Sequence, residues 1–348
     1  VSLATAIRTG DVAELPSRRD EDWRWTDLRG LIRKMPDRSP KETGKPARAS
    51  FAPTIAAEEI IVVNGDRRGI DKIIVPEGEE RVIRLRFISR AFGTAHEGGL
   101  DIEVGRDGRL LLLESHESEG AAYVSAIYIN ISVGLGASVE RVVVLEDEED
   151  AVTVVQTAVA MREAAKGYSQ TVFLSGAKRQ RFETGVLHEG YGARVRMDGV
   201  YLLASKRHAD LTTSVEHVEV DGQTSQLIKG VVRDQARGVF QGRITVQEGA
   251  DGTDARMGHH ALILSERAEV DAKPELLIYA DDVQCAHGNT IGALDEDAIF
   301  YARQRGIPDA EARAMLTEAF VGEVIDRIGH EGAREAARAW ATARLGGV

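Results

Sequence analysis

The sequence predicts a mainly β fold with helical segments at both ends, and three observations carry that expectation. Between about Glu59 and Gly292, short runs with a period of two recur, separated by Gly, Asp and Asn. No amphipathic helix of convincing length lies between these runs, which disfavours ordinary βαβ crossovers. Helical spacing of apolar residues over several turns is confined to the stretch after Leu294. The chain is therefore expected to divide into 1–54, an N-terminal helical region and linker, 55–293, the β core, and 294–348, a C-terminal helical domain.

The first region holds Pro16, Pro36, Pro40, Pro46 and Pro53 out of eight prolines in the chain. Arg33 to Ala49 is charged, Pro-rich and poor in large apolar residues, the composition of a mobile connection between helix fragments and the core. In the second region, Ile127, Ile129, Ile131 and Val133 share one strand face while Tyr128, Asn130 and Ser132 share the other. Val139 to Leu145, Ala151 to Ala160, Thr171 to Leu174, Ala193 to Leu203, Leu227 to Val232, Val239 to Val246, Ala261 to Leu264 and Glu275 to Ala280 continue the series. These runs are too numerous for one small sandwich. A large antiparallel sandwich and a parallel β-helix both remain open; the frequent Gly punctuation favours the β-helix, although no clean sequence repeat marks its coils.

In the third region, Asp295 can cap a helix through Ala298, Ile299, Tyr301 and Ala302, and Gly306 can end it in a left-handed conformation. Pro308 suits a second helix start, with Asp309 and Glu311 favourable to the dipole. Ala312, Met315, Leu316, Ala319, Phe320, Val324, Ile325 and Ile328 then form one apolar stripe. After Gly329, a last helix over about Gly332 to Leu345 carries Trp340. Helices placed here are expected to cover the open end of the β core.

The chain has 348 residues, one cysteine, and 44 Lys plus Arg against 56 Asp plus Glu, a formal net charge of −12. One Cys permits no internal disulfide, and no zinc ribbon or iron-sulfur site made from this chain's own thiolates, as expected of a protein of the reducing cytosol. The acidic balance argues against a nucleic-acid partner held by phosphate neutralisation. With 43% hydrophobic and 29% charged residues the composition excludes bulk disorder. Val1 to Arg8 lacks the pattern of a secretory signal, and no uninterrupted apolar run reaches the roughly 18 residues that spanning requires. A cytoplasmic location without membrane partners is expected.

Several catalytic signatures are missing. Gly44-Lys45 is followed by Pro46, so no Walker motif exists. Gly134-Leu135-Gly136 and Gly190-Tyr191-Gly192 lack the third glycine of a dinucleotide fingerprint and read as turns. Neither a Gly-x-Ser-x-Gly elbow nor a His-Glu-x-x-His helix occurs. His259-His260 resembles a metal pair, but adjacent residues of a strand face opposite ways, so a turn-adjacent surface pair is expected instead. His208 and His217 read as hydrogen-bonded structural histidines. The remaining constellation is Cys285 and His287, inside Tyr279-Ala280-Asp281-Asp282-Val283-Gln284-Cys285-Ala286-His287-Gly288. In an extended segment these two share a face with Cα atoms about 6.5 Å apart, close enough for thiolate and imidazole to reach one iron centre. A small buried cysteine beside a polar neighbour fits the same spacing.

Longer motifs add a resemblance. Lys229-Gly230-Val231-Val232-Arg233-Asp234, Ala236-Arg237-Gly238-Val239-Phe240-Gln241-Gly242-Arg243-Ile244, Thr253-Asp254-Ala255, Leu262-Ile263-Leu264-Ser265 and Lys273-Pro274-Glu275-Leu276 resemble the SufB/SufD family of iron-sulfur cluster assembly scaffolds. So do Cys285-Ala286-His287-Gly288, Leu294-Asp295-Glu296 and Phe300-Tyr301, and near the N-terminus Leu15-Pro16-Ser17-Arg18 with Asp22-Trp23-Arg24-Trp25-Thr26-Asp27-Leu28. The strong part covers about Leu211 to Ala319. The Cys-x-His-Gly spacing, the single Cys and the short chain are similar to the SufD branch. Asn289 departs from the Ala of the family pattern, without expected consequence.

The resemblance implies a right-handed parallel β-helix between N- and C-terminal helical parts. It also implies pairing with a SufB-like paralogue and binding of a SufC-like ABC-type ATPase through the C-terminal helical region, about Leu294 to Ile328. His287 matches the histidine implicated in cluster assembly at the subunit interface, and Cys285 its neighbouring cysteine. The implied protein is a non-catalytic scaffold that shares a transient iron-sulfur cluster or iron with a partner and holds none permanently alone. Two alternatives stand beside it: a β-helix carbohydrate-active enzyme, disfavoured by 5% aromatic content and by no acidic pair beyond Asp281-Asp282, and a structural homodimer without cluster chemistry.

Overall fold

The computed structural model describes residues 2–41, 47, 49, 51–67, 69–162 and 164–345, so part of the connection expected over 33–49 lies outside the described residues. The β core consists of strands β1 (Glu58–Val63), β2 (Lys72–Val75), β3 (Glu80–Ser89), β4 (Ala95–Val104), β5 (Arg109–Ser118), β6 (Val124–Val133), β7 (Ser138–Glu146), β8 (Val152–Met161) and β9 (Gly167–Leu174). It continues through β10 (Arg179–His188), β11 (Arg194–Leu203), β12 (His208–His217), β13 (Gln223–Val232), β14 (Arg237–Val246), β15 (Asp254–Ile263), β16 (Glu269–Ile278) and β17 (Gln284–Gly292). Odd-numbered strands form one parallel sheet and even-numbered strands another, each pairing with the strand two places on. The chain therefore winds as a two-sided parallel β-helix, which decides between the two architectures that periodicity left open.

Side chains alternate across each strand, so one set faces the lumen between the sheets. Val155, Phe182, Leu211 and Phe240 occupy one lumenal column, each in register with the next. Tyr201, Val172, Val143 and Ile228 line the facing sheet. Burial of each large apolar side chain stabilises the core by roughly 1.5–3 kcal/mol. One coil takes from 25 residues, Glu58 to Ile83, to 32, Arg237 to Glu269. Coils of such uneven length do not align as a sequence repeat. Strands β10 and β12 escape the apolar pattern because Gln180, Arg181 and Thr184, and His208, Asp210 and Thr213, are polar yet buried.

Both sheets carry apolar outer faces that need cover. On the nine-stranded sheet, Leu111, Leu113, Val142, Val144, Phe173, Val200, Leu202 and Val231 are covered by helices α3 (Asp309–Ile325) and α4 (Glu331–Leu345), with Trp340 edge-on to Phe173 at 5.4 Å. Helix α2 (Glu296–Gln304) packs Ile299 with Leu294 and Ala312 near Leu262 and Leu264. It starts as expected, with the Asp295 carboxylate accepting from the Asp297 and Ala298 amides, and Gly306 follows at φ +85°. The expectation that these helices cap the open end is corrected: they lie along the flank, where the exposed apolar face supplies the driving force.

The eight-stranded sheet is covered by the N-terminal segment. Helix α1 (Leu3–Thr9) and the following 3-10 turns bring Leu3, Ile7, Leu15 and Leu28 onto Val124, Val152 and Val154. The Asp22-to-Leu28 motif is the fastening. Arg181 lies under the Trp23 ring at 4.3 Å and donates to the Asp22 carbonyl and the Asp210 carboxylate, which Thr26 also reaches.

Candidate functional site

Among the described residues, no further strand follows β16 and β17 at this end of the β-helix. Strand β17 pairs only with β15, and β16 only with β14, so each presents a free backbone edge at the same end of the molecule. The two edges differ chemically. Strand β16 carries Pro274, which cannot donate to a ladder, and Asp271, Lys273 and Glu275 occupied by ion pairs to Arg237, Glu21 and Arg243. Charges and proline are the usual guards of an edge strand. Strand β17, Gln-Cys-Ala-His-Gly-Asn-Thr-Ile-Gly, has neither. Leu277, Ile278, Tyr279 and Ile291, all between 39% and 61% exposed, surround this end.

Cys285 and His287 lie on this unguarded strand. Cys285 is in register with Ala255 and His287 with Met257, two lumenal residues, so both candidate side chains face the lumen at its open mouth, as their spacing predicts. Cys285 is half-buried against the core; burial pushes its thiol pKa up, the Ala255 backbone opposes this, and the Asp254 charge adds to it. A thiol held protonated is a weak ligand until a metal or a partner changes its surroundings. His287 is exposed. Among the described residues no group of three or more His, Cys, Asp or Glu could hold a metal ion. What the strand does place side by side at the lumen mouth is one thiol and one imidazole.

The other histidines sort differently. His259 is fully buried in the lumen, in mid-strand, and His260 is half-buried on the opposite face. Opposite faces were expected, but the expected turn-adjacent surface position is corrected for His259. Its ring stacks on Phe240 at 4.9 Å, its Nε2 is 2.8 Å from the Tyr201 hydroxyl, and its Nδ1 is 2.7 Å from Asn289 Oδ1. The amide oxygen can only accept, so Nδ1 carries the proton and Tyr201 donates to Nε2. Asn289, read from the sequence as without consequence, is thus bonded to the core from the strand that carries His287. Tyr201 fits only because Gly230 and Gly238 have no Cβ: a methyl there would lie 2.0 Å and 2.4 Å from its ring. Sequence reasoning could not see this cluster, since its members are far apart in the chain and meet only through register.

His208 and His217 are hydrogen-bonded and buried, as expected. His208 donates to the Trp25 carbonyl at 3.1 Å, and His217 bonds Thr224 at 2.8 Å beside His188. Asp281 and Asp282 are exposed in the turn between β16 and β17, where the Asp282 carbonyl accepts from Gly252. No helix among the described residues is long and apolar enough to cross a membrane. The helical region leaves Phe300, Tyr301 and Met315 exposed, with Arg305 over the Tyr301 ring at 4.6 Å.

Comparison with known proteins gives a consistent result. Residues 88–320 match the family described as SUF system FeS cluster assembly, SufBD core domain. The chain is similar to the iron-sulfur cluster assembly protein SufD of Escherichia coli, 27% identical across 99% of this chain and 92% of that protein. It is 33% identical to an iron-sulfur cluster assembly SufBD family protein of Synechocystis, over 59% of this chain and 45% of that one. To SufD of Bacillus subtilis it is 32% identical over 36% of this chain and 29% of the relative.

Proposed function

The chain belongs to the SufBD core family of the SUF iron-sulfur cluster assembly system and is most like SufD, and from this premise we propose that it is a non-catalytic scaffold subunit of a cytoplasmic assembly complex. Its role is in iron-sulfur cluster assembly. Within that role, β17 receives the edge of a SufB-like paralogue, and His287 with Cys285 contributes ligands to a nascent cluster or iron completed by that partner. The observation that carries this reading is the unguarded edge of β17 bearing both ligand residues, beside a β16 edge that Pro274 and ion-paired charges protect. Strand addition satisfies the free backbone groups and buries Ile291 and Tyr279. In isolation the same edge suits a second copy of the chain, and a homodimer would form there.

The exposed Phe300, Tyr301 and Met315 support docking of a SufC-like ABC-type ATPase on the domain over 294–348. ATP hydrolysis takes place in that partner. Two nucleotide states that contact the helices differently supply the free energy to open the paired scaffold and expose the nascent site. The test is a reconstituted complex of this chain, the paralogue and the ATPase. His287→Ala, folded and incorporated, is expected to lower cluster yield several-fold, and unchanged yield refutes the site. Failure of the wild-type chain to co-purify with either protein refutes the scaffold reading.

A further inference from the structure

The His259-His260 dipeptide is not absorbed by the site described above, and its two contacts form a pattern. On the lumenal face, His259 Nδ1 bonds Asn289 Oδ1 at 2.7 Å; on the outer face, His260 Nδ1 lies 2.7 Å from Thr290 Oγ1. Adjacent residues of β15 thus hold adjacent residues of β17, one through each face of the sheet, at the register His259↔Asn289 and His260↔Thr290. Beyond its backbone ladder to β15, strand β17 has few side-chain holds among the described residues. Residues 286–292 are exposed, a Cβ at Gly288 or Gly292 would meet nothing, and only Cys285 packs on the core. For such a strand, a shift of one residue turns every side chain to the other face, taking His287 and Cys285 out of the lumen.

We propose that His259 and His260 act as a two-sided clamp that fixes the register of the edge strand and so positions His287 and Cys285 at the open mouth. The lumenal half is itself locked: His259 stacks on the Phe240 ring and Tyr201 donates to its Nε2, so its Nδ1–H has one direction and one acceptor. The outer half is tied to the C-terminal helices. His260 is in register with Lys229, which is buried, pairs with Glu323 of α3 at 2.7 Å and lies over Phe320. The clamp therefore joins the helical domain to the strand carrying the ligand pair. This inference rests on the proposed role of His287, but its first readout does not.

The test uses the full chain and Asn289→Ala/Thr290→Val, which removes both hydrogen-bonding partners while leaving the histidines and the ligand pair. Amide exchange over 284–292 should accelerate by on the order of tenfold or more, as expected when two hydrogen bonds are lost. Labelling of Cys285, the one thiol in the chain, should accelerate in parallel while exchange in β5 to β11 stays unchanged. Asn289→Asp/Thr290→Ser, which keeps the carboxamide-position oxygen and the hydroxyl, should restore protection. If the double variant does not fold, Thr290→Val alone should still raise exchange about fivefold. Unchanged exchange, or failure of the conservative pair to restore it, overturns the clamp. In the reconstituted complex the double variant should lower cluster yield; unchanged yield where His287→Ala lowers it overturns the positioning role. If His287→Ala has no effect either, the site reading fails, while the exchange and labelling results still decide the clamp.

Discussion

Replacing Glu114 by Gln should expose how much the lumen depends on a charge pair hidden within it. Glu114 on β5 and Arg141 on β7 are both fully buried. Arg141 donates from Nε and Nη2 to the two carboxylate oxygens at 2.9 Å, and from Nη1 to Thr157 and Gln170 at 3.0 and 3.1 Å. The substitution keeps shape but leaves a buried guanidinium without its counter-charge, which costs about 3–5 kcal/mol. Burial alone would raise the Glu114 pKa, yet the Arg141 charge and the bonds from His116 and Arg141 hold it below the usual carboxylate range. The stability it contributes is thus present above the ordinary Glu pKa and lost as pH falls through the lowered folded value. Glu114→Gln should remove that acid limb. Because coils interact mainly with their neighbours, the loss should be local. Amide exchange in β5 and β7 should accelerate by about 100-fold, as 3 kcal/mol implies, with β15 unaffected. Glu114→Leu/Arg141→Met should cost less than the sum of its single variants, with a coupling of at least about 2 kcal/mol. A cost below about 1 kcal/mol for Glu114→Gln, or additive single effects, refutes the reasoning.

Three further outcomes follow from other parts of the molecule. Burial pushes His96 and His208 down to about 4, with the Arg179 charge adding to the effect at His208, so the unfolded chain takes up protons below about pH 6.5 that the fold refuses. The stability these groups contribute is complete above pH 6.5 and is lost between 6.5 and about 4, about 3 kcal/mol for each. Thermal melts across that range should show the slope, and His208→Gln, which keeps a donor for the Trp25 carbonyl, should flatten it; equal slopes would count against the assignment. Gly230→Ala places a methyl on the Tyr201 ring and should destabilise by about 1–3 kcal/mol, with Tyr201→Leu in the same chain recovering part of the loss in urea titrations. Phe300→Asp/Tyr301→Asp should weaken retention of the ATPase at least about tenfold in pull-downs while stability changes by no more than about 0.5 kcal/mol.

Much of this molecule is legible in its residues. The period of two in Ile127 to Val133 and the capping of α2 by Asp295 need no tertiary information, because they are set by local backbone geometry. The shared face of Cys285 and His287 follows from the same geometry. Polar strands were less readable: β10 and β12 bury Arg181, Asp210, His208 and His217, whose burial depends on partners far away in the chain. Asn289 is the clearest case, since its importance lies in a bond to His259, 30 positions earlier.

The sequence alone determined a mainly β chain with C-terminal helices, and placed its one thiol two residues from a histidine on a common face. It also carried motifs long enough to indicate the family. Alternation along a strand distinguishes two faces but does not say which neighbour each strand takes, so the Gly punctuation favoured the β-helix while the sandwich stayed open. Register decided that question. It stacked coils of unequal length, sent the helices to the apolar flank of the nine-stranded sheet, and left β17 as an unguarded edge. It also set His259 beneath Asn289 and His260 beside Thr290. Such placements depend on contacts between residues about 30 apart, where side-chain volume and hydrogen-bond complementarity, rather than local propensity, select the partner.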